Sequence, residues 1–181
     1  DFSLEDANRF SGGDGSLDNP YLISNKQQFK LINKELNACY KLISDNIDLS
    51  DMDLAPIGDY SSPFNGIFDG NGYTISNLTI SNADEFYGLF GYVKGTPNTS
   101  VDDIADVYDE NTKQLKTEVL AEANYGASIK NLTLSAVNMT TYNTEAAPLF
   151  GRAYGTYISD INVVSGTITI VGTKEGTSVS C

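Results

Sequence analysis

Thr74-Ile75-Ser76-Asn77-Leu78-Thr79-Ile80 returns as Ser128-Ile129-Lys130-Asn131-Leu132-Thr133-Leu134 and again as Tyr157-Ile158-Ser159-Asp160-Ile161-Asn162-Val163. Each copy reads aliphatic, polar, Asn or Asp, aliphatic, polar, aliphatic. Self-similarity of this kind marks a stacked repeat, in which each unit buries its apolar face only against its neighbours. Side chains alternate along a strand, so inward residues on either side of the Asn or Asp require a bend there. Asn77, Asn131 and Asp160 are therefore expected at bends, where a short amide or carboxylate side chain bonds the turn backbone. Aligning the phrases predicts three interior columns: Ile75, Ile129 and Ile158; Leu78, Leu132 and Ile161; Ile80, Leu134 and Val163. A second phrase follows two of the copies, as Gly88-Leu89-Phe90-Gly91 and Pro148-Leu149-Phe150-Gly151.

The fold class expected is all-β: a right-handed parallel β-helix, or solenoid. Its 181 residues suit one domain, and 40% hydrophobic against 19% charged residues suit a folded chain. The domain divides into an N-terminal cap segment over 1–39, coils over 40–93 and 125–181, and an insertion over 94–124. Ser24 is placed to cap a helix with Gln27 at the capping-box position. Phe29, Ile32, Leu36 and Cys39 then form one apolar stripe on a helix of 25–38. Standing before the repeats, that helix is expected to cover the first coil. Tyr21–Ile23, Tyr40–Ile43 and Asn46–Leu49 read as strands. The abrupt start at Asp1 and the end at Cys181 suggest a piece of a longer protein.

The repeats also act as a ruler. From Gly151 to Ile158 is 7 residues, whereas from Gly91 to Ile129 is 38, which leaves about 31 residues inserted over 94–124. The insertion is acidic and reads as a β-hairpin arm about Asp109-Glu110-Asn111-Thr112, with a helix over 113–122 as the alternative. Insertions in stacked repeats collect on one face, often the binding face.

Tyr40–Leu49, Ala55-Pro56-Ile57-Gly58, Phe64–Gly72 and Gly88-Leu89-Phe90-Gly91 together resemble the GLUG-type repeat region of bacterial surface proteins. Gly13-Asp14-Gly15 and Asn19–Ile23 are similar to the segment that leads into such regions. The resemblance covers about residues 10–93 and 125–165. Similar stretches occur in secreted adhesin-like proteins and beside the catalytic domain of immunoglobulin A peptidases. The resemblance implies an extracellular or cell-surface setting and an accessory role. The sequence departs from the pattern at the insertion and at Pro148, where the phrase expects Gly.

A net charge of −13 argues against nucleic acid and anionic membrane as partners, since both need a basic footprint. No apolar run approaches the length of a membrane span, so no membrane insertion by this chain is expected. The chain has no histidine. That removes Ser-His-Asp and Cys-His machinery, the usual zinc sites and the His-Glu zinc motif of the peptidases. Cys39 and Cys181 make no metal pattern, and a bridge between them would need the chain ends to meet. No cofactor is expected. Asp48, Asp51 and Asp53, and likewise Asp14 and Asp18, supply the oxygen ligands calcium favours, without a complete loop motif. The four Asn-x-Ser/Thr matches, at Asn77, Asn98, Asn131 and Asn138, carry no separate reading.

The expected function is that of a non-catalytic, adhesin-like module, monomeric, presenting a face to a host protein or glycan. Tyr92, Tyr108, Asp106, Asp109, Glu110 and Tyr125, in or beside the insertion, are its candidate binding residues; Tyr60 and Tyr87 lie near the same turns. The alternatives are a carbohydrate-active β-helix enzyme using carboxylates such as Asp48 with Asp51 or Asp53, and a stalk with no ligand.

Overall fold

The computed structural model describes residues 9–80, 86–95, 108–109, 114–115, 126–141 and 145–170. The strands are β1 (Tyr21–Ile23), β2 (Cys39–Leu42), β3 (Asn46–Asp48), β4 (Ile67–Asp69), β5 (Thr74–Ser76), β6 (Thr79–Ile80), β7 (Phe90–Lys94), β8 (Tyr108–Asp109), β9 (Gln114–Leu115), β10 (Ser128–Ser135), β11 (Val137–Thr141), β12 (Phe150–Tyr154), β13 (Tyr157–Val163) and β14 (Gly166–Ile170); α1 spans Lys26–Ile32. The fold is all-β with parallel sheets. The first sheet holds β1 to β5, β10 and β13; the second holds β6, β11 and β14; the third pairs β7 with β12. Every pairing in these three is parallel, and the chain passes from first to second to third sheet and back again.

In-register columns follow from that pairing. Tyr21, Tyr40, Phe68, Ile129 and Ile158 stand on successive strands of the first sheet. Ile47, Ile75, Leu134 and Val163 make a second column. Ile80, Met139 and Ile168 make a third, on the second sheet. Phe90 lies between Ile57 and Phe150 on the third. The core is packed from residues of all three sheets: Phe68 meets Phe90 edge-on at 5.5 Å between ring centroids, and Phe64 meets Phe90 at 5.0 Å. Burying each such ring stabilises the fold by roughly 1.5–3 kcal/mol.

These columns correct the expected alignment. Thr74–Ile80 stacks not on Ser128–Leu134 but on Thr133–Met139, so Ile75 faces Leu134, not Ile129. Leu78 lies beside Val137, since Asn138 N donates to the Leu78 carbonyl. Ser128–Lys130 stacks instead on Ile67–Asp69. Only the pairs of the last two copies, Ile129 with Ile158, Leu132 with Ile161 and Leu134 with Val163, stand as expected. The reason is that one circuit contains two similar bends, and matching letters cannot tell which bend a phrase belongs to. The bends themselves are where they were expected. Asn77, Asn131 and Asp160 have φ of 56°, 54° and 51°, the left-handed region that Asn and Asp tolerate.

The helix is shorter than 25–38. Asn25, not Ser24, is the N-cap: its side chain accepts from Gln28 N at 3.3 Å, while Gln28 Oε1 accepts from Ser24 N at 2.7 Å. At the other end Asn33 leaves the helix to bind the next loop. Its Nδ2 donates to the Pro56 carbonyl at 3.2 Å and its Oδ1 accepts from Gly58 N at 2.9 Å. Leu36 and Cys39 thus lie beyond the helix, and Cys39 opens β2 half-buried. Phe29 and Ile32 still point into the core, Phe29 at 6.1 Å from Phe68.

Glycine closes the second phrase for a steric reason. A Cβ at Gly91 would meet the Gly58 carbonyl, and one at Gly151 would lie 2.6 Å from Phe86 Cβ. The backbone of one circuit rests directly on the next there.

The insertion leaves from the third sheet. Lys94 pairs with Tyr154 and Ser128 with Tyr157, so one path crosses three positions where the other crosses 34. Within it β8 and β9 pair antiparallel, Tyr108 with Leu115 and Asp109 with Gln114, as a hairpin does. Gln114–Leu115 is thereby strand where the alternative reading had helix.

Candidate functional site

On the third sheet, the first four residues of β7 are all buried. Phe90 and Val93 of β7 enter the core, whereas Tyr92 packs outside it. Tyr60, in the preceding loop and 62% exposed, stacks on Tyr92 with ring centroids 6.1 Å apart and planes 15° from parallel. Phe86 meets the same Tyr92 ring at 5.7 Å. Arg152 of β12, the rung partner of Tyr92, places its guanidinium 5.1 Å from the Phe86 ring centroid. Glu145 accepts from Arg152 at 2.9 Å and holds it over that ring. The loop carrying Tyr60 is itself fixed, because Asp59 Oδ1 accepts from Ser61 N at 2.8 Å and Ser62 N at 2.7 Å.

The result is a strip of rings, a cation and an anion on the outer face, with Lys94 and the start of the insertion at the end of the same strand. Chemically it offers one open aromatic face, at Tyr60, flanked by hydrogen-bonding groups of both charges. Tyr92 is therefore a buried support for Tyr60 and not a contact surface of its own. Tyr87, near the same turns, is a core residue, 5% exposed. Tyr108 and Asp109 lie in β8; Asp106, Glu110 and Tyr125 lie outside the described residues. Sequence reasoning passed over Phe86, Arg152 and Glu145. Arg152 was within reach, since Tyr92 and Arg152 each follow the Gly of a Leu-Phe-Gly phrase.

Asp48 and Asp14 hold their own turns. Asp48 Oδ1 accepts from Ser50 N at 2.8 Å and from Asn77 Nδ2 at 2.9 Å, one circuit on. Those bonds, the Asn77 amide foremost, lower its pKa, the opposite of what a general acid needs. Asp51 forms a left-handed bend at φ 58°, and Asp53 bridges to Thr79. Asp14 is likewise lowered, first by the Ser16 hydroxyl and backbone N–H. Among the described residues no group of three or more His, Cys, Asp or Glu side chains gathers where a metal ion could be held. On the outer face of the first sheet, Lys41, Asp69 and Lys130 succeed one another as rung partners, and an open cleft of about 280 Å³ beside them includes Asp18 and Cys39. Asp69 is engaged by Asn71 N at 2.8 Å and Asn131 Nδ2 at 3.0 Å.

No protein-family model matches the sequence, and no solved structure matches it. The chain is similar to a "Putative Gly-rich membrane protein" of Evansella cellulosilytica, 34% identical over 96 residues. That match takes in 49% of this chain and 11% of the relative, so the chain spans about a ninth of the relative's length. Among the described residues no helix is long and apolar enough to cross a membrane.

Proposed function

We propose that the chain is a right-handed parallel β-helix that serves as a non-catalytic, surface-exposed binding module. The outer strip about Tyr60 meets a glycan or protein partner, and the 94–124 arm flanks it. The strongest support is the outward stack of Tyr60 on Tyr92, braced by Phe86 and Arg152. A ring held rigid by its neighbours meets a sugar ring or a peptide with little loss of side-chain entropy. Repeated passage through three parallel sheets supports the β-helix, and the resemblance to GLUG-type repeats supports the surface setting. The description of the Evansella relative as a membrane protein agrees with that setting. The bonds from Ser50 and Asn77 that hold Asp48 weigh against its use as a general acid.

Tyr60→Ala tests the proposal without touching the core. On arrays of glycans and extracellular-matrix proteins, the variant should lose at least tenfold in affinity for whatever the parent chain binds, with its thermal unfolding unchanged. Removing residues 96–126 separates the arm from the strip in the same assay. Parent-like binding by both variants would refute the assignment, and a parent chain that binds nothing would leave the stalk reading.

A further inference from the structure

The two ends of the stack are finished differently. At the first, Ser11 N donates to the Leu22 carbonyl at 2.9 Å and Leu22 N donates to the Gly12 carbonyl at 2.9 Å, so backbone already occupies the outer edge of β1. Helix α1 covers the core beside it with Phe29 and Ile32, and Lys26 Nζ reaches the Ser50 carbonyl at 2.7 Å. At the other end, β13 pairs only with β10, and β14 only with β11, among the described residues. The columns run straight out to this edge. Ile158 and Val163 are 38% and 44% exposed, above Ile129 and Leu134 that are fully buried. Ile168, above the buried Met139, is 39% exposed.

The edge also lacks what keeps sheet edges apart. Residues 157–170 contain one charged residue, Asp160, and neither lysine nor proline, in a chain with 24 acidic residues. An edge with a single charge, whose interior columns are half-exposed, is a template for another strand. Its occupant is constrained. Parallel pairing continues the columns only if aliphatic residues fall over Ile158, Ile161, Val163 and Ile168, with a bend over Asp160. A second copy of the chain cannot supply this head to tail, because its own first edge is closed by Ser11, Gly12 and α1. Pro148 on the third sheet stands where Gly88, the covered position below it, has no room for a Cβ: one there would lie 2.7 Å from Phe150 Cα. The covering segment should accordingly follow the first two sheets and leave the third.

We propose that the free edge of β13 and β14 is a strand-addition surface for one further strand–bend–strand unit of the repeat pattern, laid parallel upon it. The unit immediately below, Ser128–Thr141, has the required pattern. As a peptide it would place Ile129 over Ile158, Leu132 over Ile161, Leu134 over Val163 and Met139 over Ile168.

A fluorescein-labelled peptide of residues 128–141, titrated with the full 181-residue chain, tests this by anisotropy. Saturable binding is expected, at least tenfold weaker with Val163→Asp or Ile168→Asp and absent for a scrambled peptide. Both substitutions are at exposed positions, and circular dichroism with thermal unfolding confirms that each variant is folded. No binding, or binding indifferent to both substitutions, overturns the proposal. Binding that appears only when residues 171–181 are removed overturns it in favour of those residues as the occupant. A concentration-dependent dimer in light scattering, abolished by Ile168→Asp, overturns it in favour of a second copy meeting tail to tail.

Discussion

At the scale of single residues, the fold rests on polar groups that serve two circuits at once. Asp48 and Asp69 each fix their own turn, through Ser50 N and Asn71 N, and each also receives an Asn amide from the next circuit, from Asn77 and Asn131. Tyr40 does the corresponding work inside. On its strand it stands between Tyr21 and Phe68, its ring meets those of Tyr21 and Phe64 at 5.7 and 6.3 Å, and its hydroxyl donates at 2.7 Å to the Glu35 carbonyl, which also accepts from Ala38 N at 3.1 Å. Burial pushes the Tyr40 phenol well above its ordinary value, and the nearby Glu35 carboxylate and Tyr21 push it further. Because the folded pKa is raised, its contribution is whole below the unfolded value of about 10 and is lost as pH rises toward the folded one. Stability in urea should therefore fall above about pH 10. Tyr40→Phe should cost about 1 kcal/mol at pH 7 through the lost hydrogen bond, and should reduce the alkaline slope by up to ~1.4 kcal/mol per pH unit. A slope unchanged in the variant would show that Tyr40 ionises freely in the folded chain.

Among the elements, the bends decide the register. Asn77 and Ala136 occupy equivalent positions, since Ser76 pairs with Ser135 and Thr79 with Asn138, and both are left-handed, at φ 56° and 51°. Asn tolerates that conformation, whereas Ala carries the strain of its Cβ against the following carbonyl. Ala136→Gly should then raise stability by about 1 kcal/mol, read as a higher urea midpoint, and it keeps the bond from residue 136 N to Ser165 Oγ at 2.9 Å. A lower midpoint would mean that chain entropy outweighs the strain. The same bend explains what the sequence could and could not convey. Strands, parallel stacking and the conformation of the Asn and Asp bends were legible, because alternation and left-handed turns are local properties. The register was not: Ser-Ala-Val after Leu134 hides a bend equivalent to Ser-Asn-Leu after Ile75, and the letters Asn-Leu-Thr at 77 and 131 point to the wrong partner. The helix end was hidden for a similar reason, since Asn33 stops it through bonds to Pro56 and Gly58 more than twenty residues away. Of the outer strip, the tyrosines were visible and Arg152 could be placed by its Leu-Phe-Gly phrase, but Phe86 and Glu145 could not, because contacts across strands are a property of the register.

For the whole molecule, the question is whether the arm is an addition to the stack or a part of it. At its base the two paths are equivalent. Gly95 N donates to the Tyr154 carbonyl at 2.9 Å and Tyr157 N donates to the Ala127 carbonyl at 3.0 Å, which sets Lys94-Gly95 beside Tyr154-Gly155 and Ala127-Ser128 beside Thr156-Tyr157. Excising residues 96–126, 31 residues in all, would leave Lys94-Gly95-Ala127-Ser128, the same length as the link Tyr154-Gly155-Thr156-Tyr157 that already makes this passage one circuit later. Closing a link of two residues in place of one of about thirty saves roughly 2 kcal/mol of loop-closure entropy, at about 0.6 kcal/mol for each doubling. If the arm only projects, the excised chain should keep one cooperative transition and gain stability of that order. If the arm packs on the stack, its loss exposes apolar surface, and the sign reverses with a smaller dependence on denaturant. Urea unfolding of the two chains at pH 7 decides between these outcomes, and the expected one is a higher midpoint for the shorter chain. The rungs at both ends of the excision are already fixed by partners that do not belong to the arm: Lys94 by Phe64 and Tyr154, Ser128 by Ile67 and Tyr157.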